Sequence, residues 1–91
     1  MAVLLAWLPL DPASSLARAL RVLDAFDSRH PRLTLSEVAA RSGTPLTTTH
    51  RLLAELVAWG ALARRPDGRY EIGRKLWDLG LLAPVSLELR Q

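Results

Sequence analysis

The stretch Ser42-Gly43-Thr44-Pro45 leaves little freedom in how its two flanking segments can meet. Upstream, Thr34-Leu35-Ser36-Glu37 has the spacing of a capping box, in which a threonine hydroxyl and a glutamate carboxylate each accept from a free N–H at a helix start. Downstream, Leu52, Leu53 and Leu56 recur at helical spacing and Gly60 offers a stop. Gly43 suits the left-handed residue that closes a helix, while Pro45 suits a first helical position with Thr44 as its N-cap. Two helices, about 34–42 and 45–59, are thus expected only two residues apart. Helices joined so tightly cross steeply, which is the geometry of a helix-turn-helix.

The neighbouring segments extend this unit. Residues 11–15 supply a break and a cap, after which Leu16, Ala19, Leu20, Leu23 and Phe26 mark a first helix ending near Ser28, ahead of His30-Pro31. Leu33-Thr34-Leu35 is too short for an independent strand but can pair with an edge elsewhere. In the helix over 45–59 the buried stripe is expected to be Thr49, Leu52, Leu53, Leu56 and Trp59. Beyond Gly60 the period changes to two, and Asp67-Gly68 between the runs 62–65 and 69–72 signals an antiparallel hairpin. A last helix over about 74–82 carries Leu76, Leu79 and Ala83 on one side before Pro84. The order predicts a mainly α fold with a small β-hairpin, a winged helix-turn-helix. The expected division is an apolar extension over 1–14, the winged unit over 15–73, and a C-terminal helix with the start of a linker over 74–91.

Composition supports a single small core. Ninety-one residues, 49% apolar and 23% charged, suffice for one domain, and with no cysteine that core rests on packing alone. Charge is uneven: residues 29–75 hold nine basic side chains against four acidic ones, and the remainder three against five. Eleven of the twelve basic residues are arginine, whose planar fork suits phosphate and guanine edges. A GC-rich genome accounts for much of that arginine bias. The clustering, however, is the footprint of a polyanion binder.

The opening MAVLLAWLP is far shorter than the roughly 20 residues that span a bilayer, and no basic residue precedes it. Neither a signal peptide nor a membrane anchor is expected. Leu4, Leu5, Trp7 and Leu8 are expected to cover an apolar groove on this domain or a partner subunit, with a disordered tail as the competing reading.

Three consecutive threonines at the start of a helix need a reason, since β-branching lowers helix propensity. A helix entering the major groove leads with its N-terminal turn, where short polar side chains let the backbone approach phosphates and base edges. Thr44, Leu46, Thr47, Thr48, His50 and Arg51 are the expected contacts there, with Thr49 turned inward. A threonine methyl or Leu46 can pack on a thymine methyl, and Arg51 can reach a phosphate or a guanine. Arg64, Arg65 and Arg69 flank the hairpin tip and are expected on the neighbouring backbone or minor groove. The same arginines also guard an edge strand against aggregation, and Thr47, Thr48 and His50 also fit an ordinary solvated face.

With these residues together, "SLARALRVLDAF", "LTLSEVAARSGTPLTTTHRLLAELVAWG" and "DGRYEIGRKLWDLG" resemble the N-terminal DNA-binding domain of the IclR (isocitrate lyase regulator) family of bacterial transcription factors, from Ser15 to about Gly80. The resemblance implies a cytoplasmic homodimer that binds a double-stranded, roughly palindromic operator through the helix over 45–59. It also implies a C-terminal domain, absent from this chain, through which a small-molecule effector acts. The sequence departs from that pattern at Thr44, where a bulky apolar residue is usual, at Leu46, where a polar one is common, and at Thr49, where valine is usual. Thr49 then needs a carbonyl acceptor one turn earlier.

Paired carboxylates, a nucleophile with its base, a glycine-rich phosphate loop and metal-ligand spacing are all missing from the sequence, so neither an enzyme nor a cofactor is expected. The alternative function is a winged helix serving as a protein-interaction module, with residues 1–10 and Trp7, Trp59 and Trp77 as its surface.

Overall fold

The computed structural model describes residue 11 and residues 13–84; the apolar segment 1–10, including Trp7, lies outside the described residues. The order is α1 (Ser15–Asp24), α2 (Leu35–Ser42), α3 (Leu46–Trp59), β1 (Leu62–Arg64), β2 (Tyr70–Ile72) and α4 (Arg74–Gly80). It is a winged helix-turn-helix.

Local chemistry sets most boundaries. The Ser14 hydroxyl accepts from the Ala17 N–H and starts α1. The helix ends at Asp24, earlier than the expected Ser28, because Asp27 organises a turn ahead of Pro31. Its Oδ1 accepts from the backbone N–H groups of Arg29 (3.0 Å) and His30 (2.8 Å) and faces the His30 ring at 2.9 Å. The capping box of α2 is complete, with the Thr34 N–H donating to Glu37 Oε1 at 2.8 Å and the Glu37 N–H to Thr34 Oγ1 at 3.2 Å. Gly43, at φ 71°, closes that helix.

The core joins Val22 of α1 and Ala25 at its C-cap, Val38 of α2, Leu52 and Leu53 of α3, Leu62 of β1 and Tyr70 of β2, with Leu33 from the connection before α2. The buried face of α1 is the expected one only in part: Ala19, Leu23 and Phe26 pack against the core, whereas Leu16 and Leu20 stay exposed and Ala17, Val22 and Ala25 are buried in addition. On α3, Thr49, Leu52 and Leu53 are buried and Leu56 packs at the margin. Trp59 departs from the expected stripe: it is 48% exposed, and the Lys75 ammonium lies 4.4 Å from its ring centre, a cation–π contact linking α3 to α4.

In the hairpin Leu62 pairs with Ile72, Ala63 with Glu71 and Arg64 with Tyr70. The Arg65 N–H donates to the Arg69 carbonyl at 2.7 Å, and Gly68 takes φ 88° in the turn, so Asp67-Gly68 performs its expected task. Leu33 and Tyr70 exchange N–H···O bonds of 3.0 and 2.7 Å, which adds a one-residue third segment to the wing and provides the edge expected for that short segment. At its other end the wing meets Gly73. A Cβ placed there would lie 2.3 Å from the Gly60 carbonyl oxygen, so only glycine permits this backbone crossing. α4 then runs to Gly80, short of the expected Leu82, because the next amides fold into tighter i→i−3 turns. None of its residues is buried, and Leu79, Trp77, Leu81 and Leu82 face outward.

Candidate nucleic-acid interface

The N-terminal half of α3 is amphipathic in an unusual way: its inner face carries a hydroxyl. Leu46, Thr47, His50 and Arg51 are exposed and Thr48 is half-buried, while Thr49 is wholly buried. Thr49 Oγ1 donates to the Pro45 carbonyl at 2.8 Å, the acceptor one turn earlier that the sequence required. It also bonds the Thr44 hydroxyl, which in turn lies 2.8 Å from Ser42 Oγ.

Thr44 is thereby corrected in two respects. α3 starts at Leu46 with Pro45 as its N-cap and no side-chain cap, because the Thr44 hydroxyl is engaged by Ser42 and Thr49. Only 7% exposed, Thr44 also sits beneath the surface on which it was expected to meet a ligand.

Arg51 projects from the next turn and pairs with Glu55 at 2.9 Å. Both side chains are more than half exposed, so the pair contributes little to stability and orients the guanidinium more than it ties it down. Glu55 entered none of the sequence expectations for this surface, although its i,i+4 spacing to Arg51 was the signal.

The wing is less simply cationic than its three arginines suggest. Arg69 makes two 3.2 Å bonds to Asp67 Oδ2. Arg65 reaches Glu71 at 3.2 Å and lies 3.6 Å from Asp67, while its buried Nε has no hydrogen-bond partner. Glu71 is shared with Arg32, also at 3.2 Å, so the loop before α2 is strapped to the wing across 39 residues of sequence. Arg64 differs: it lies 5.7 Å from the centre of the Tyr70 ring and remains exposed. The backbone N–H of Arg69 holds the Asp67 carboxyl below its ordinary range against an opposing desolvation, and the Arg69 guanidinium adds to the lowering. Asp67 is therefore ionised as well as turn-forming.

An open cleft of about 300 Å³ lies between Phe26, Pro31 and Ile72, with Asp27, Arg32 and Glu71 on its rim. It contains no residue of α3, so the exposed polar face and the cleft are separate features. Among the described residues no helix is long and apolar enough to cross a membrane.

Known proteins share this arrangement. Residues 15–66 match the IclR helix-turn-helix domain. The chain is 32% identical over 78 residues to the HTH-type transcriptional regulator XynR of Escherichia coli K12, covering 85% of this chain and 31% of that protein. It is 31% identical over 77 residues to the HTH-type transcriptional regulator KipR of Bacillus subtilis 168, covering 85% and 30%. Among solved structures, an IclR homolog from Microbacterium hydrocarbonoxydans, complexed with 4-hydroxybenzoate, superposes with a TM-score of 0.77 at 40% identity over 86% of this chain and 32% of that one. The chain thus spans about a third of the length of its relatives. With its helix-turn-helix matched over more than half its residues, this chain belongs to the IclR family of transcriptional regulators.

Proposed function

We propose that the chain is the sequence-specific DNA-binding domain of a transcriptional regulator, with α3 in the major groove and the hairpin on the neighbouring backbone or minor groove. The observation that carries this reading is the two-sidedness of α3: Leu52, Leu53 and Thr49 anchor one side in the core while Leu46, Thr47, His50 and Arg51 are left outside. Free N–H groups at its first turn add partial positive charge where a phosphate would approach. Thr48 contributes from the edge of that face. Of the wing arginines, Arg64 is free of carboxylates among the contacts described above, whereas Arg65 and Arg69 must be shared between Asp67, Glu71 and DNA.

The domain acts as a homodimer on a palindromic site. Leu16 and Leu20, one turn apart on α1, form an apolar strip 63% and 41% exposed, which suits burial against a second copy. In a parent protein of the relatives' length the remainder carries the small-molecule effector site, and the regulator works on DNA in the cytoplasm.

Selecting bound duplexes from a random pool tests the reading directly. The expected result is an enriched, inverted-repeat sequence with half-sites about one helical turn apart. About six phosphate contacts would lower its affinity roughly a thousandfold between about 50 and about 200 mM salt. Recovery of unenriched sequence, or affinity indifferent to salt, would contradict it.

A further inference from the structure

Ser42, Thr44 and Thr49 are buried in the helix-turn-helix joint, at 7%, 7% and 0% exposure, with their hydroxyls bonded to one another. Their hydrogen bonds admit one economical proton order. The Pro45 carbonyl, 2.8 Å from Thr49 Oγ1, can only accept, so Thr49 spends its single proton there. Thr49 is then an acceptor towards Thr44, and Thr44 an acceptor towards Ser42 at 2.8 Å. The Ala39 carbonyl, 3.4 Å from Ser42 Oγ, is the weaker alternative for the Ser42 proton. The chain of donors therefore runs from α2, through the turn, to the first turn of α3.

We infer that this Ser42–Thr44–Thr49 hydroxyl chain is a positioning device for DNA reading, fixing the angle at which the first turn of α3 leaves the α2–α3 joint. The inference rests on the DNA-binding reading above. Three observations lead to it. α3 has no side-chain cap of its own, so the chain is the side-chain link between the turn and that first turn. Thr49 lies between Thr48 and His50, so holding its hydroxyl inward aims its neighbours outward. Finally, the chain has a switchable end: without the Thr49 hydroxyl, the Thr44 proton must turn back to Ser42 and that of Ser42 to the Ala39 carbonyl. The joint would then be tied to α2 alone. Apolar packing of equal volume would fill the same space without fixing a direction, whereas a satisfied polar network selects one arrangement.

The test compares Thr49→Val, which is isosteric but lacks the hydroxyl, with Thr49→Ser, which keeps it. Each variant of the 91-residue chain is titrated against the duplex selected by the wild type and against a scrambled duplex, well below its own melting temperature. A positioning role predicts that Thr49→Val loses about tenfold in preference for the selected duplex, with scrambled-duplex affinity and salt slope unchanged, and that Thr49→Ser restores the preference. Thr44→Val, which breaks the same chain at its middle, should reproduce the loss and serves in place of Thr49→Val if that variant does not fold. Full preference retained by the folded valine variants, even with lowered melting temperatures, would overturn the inference while leaving DNA binding intact. Failure of the wild type to prefer any duplex would overturn both.

Discussion

The helix-turn-helix joint and the wing are held by opposite kinds of force. At the joint, neutral hydroxyls and leucines lie out of water, where their bonds are insensitive to ions. In the wing, Arg32, Arg65, Arg69, Asp67 and Glu71 form a network that is a third to a half exposed, and salt screens such pairs. The lesson is a division of labour. The reading helix is seated by contacts that solution conditions scarcely alter, while the wing's charges can be redistributed when a phosphate competes with Asp67 or Glu71.

The largest expected effect breaks the wing at its base and leaves the joint untouched. Gly73→Ala places a methyl against the Gly60 carbonyl and should destabilise the fold by about 3 kcal/mol in urea unfolding; a loss below about 0.5 kcal/mol would mean the crossing relaxes freely. Next, Arg51→Ala should weaken selected-duplex binding about tenfold with little change in melting temperature, since its partner Glu55 is exposed. An unchanged affinity would remove Arg51 from the interface.

A smaller change sharpens the contrast in the other direction. Asp67→Asn frees Arg69 and relieves Arg65, so scrambled-duplex affinity should rise about threefold with a steeper salt slope, and selectivity should fall. If those arginines only guard the strand edge, the salt slope will not move. The smallest effect concerns acid. Asp27 is held below its ordinary value of 3.8 mainly by the His30 side chain, Glu37 below 4.5 by the Thr34 N–H, and Asp67 below 3.8 by the Arg69 N–H. A carboxyl with a depressed pKa stabilises the fold above its unfolded value and loses that contribution as pH falls through the folded one. The melting temperature should therefore decline slightly below about pH 4, and Asp67→Asn should remove part of the decline.

How much of this was legible in the sequence depended on range. The capping box, the Gly43 stop, the Asp67-Gly68 turn and the outward Thr47, His50 and Arg51 follow from residues within one turn of each other, and each appeared where local chemistry put it. Thr44 was misassigned because its natural local role, capping α3, competed with a hydroxyl five residues on that only the folded joint brings near. Two of the three sites at which the sequence departs from the family pattern, 44 and 49, touch each other, which no pattern along the chain displays. Trp59 was placed inside because its spacing fits the leucine stripe; α4, folding back across Gly73, gives it a lysine to stack on instead. The Arg32–Glu71 strap and the Arg41 guanidinium on the Ala25 carbonyl and Asp27 join segments too distant for spacing to reveal.

The N–H groups of Gly73 and Lys75 bond the carbonyls of Ala61 and Gly60 at 2.8 and 3.1 Å, while beyond that base Trp77, Leu79 and Gly80 of α4 stay exposed and Leu76 is half-buried. α4 is in effect a short crank welded at one end. A torque on its outer end would arrive together at the foot of the wing and, through Lys75 on Trp59 and Gly60, at the tail of the reading helix, the end opposite the threonines.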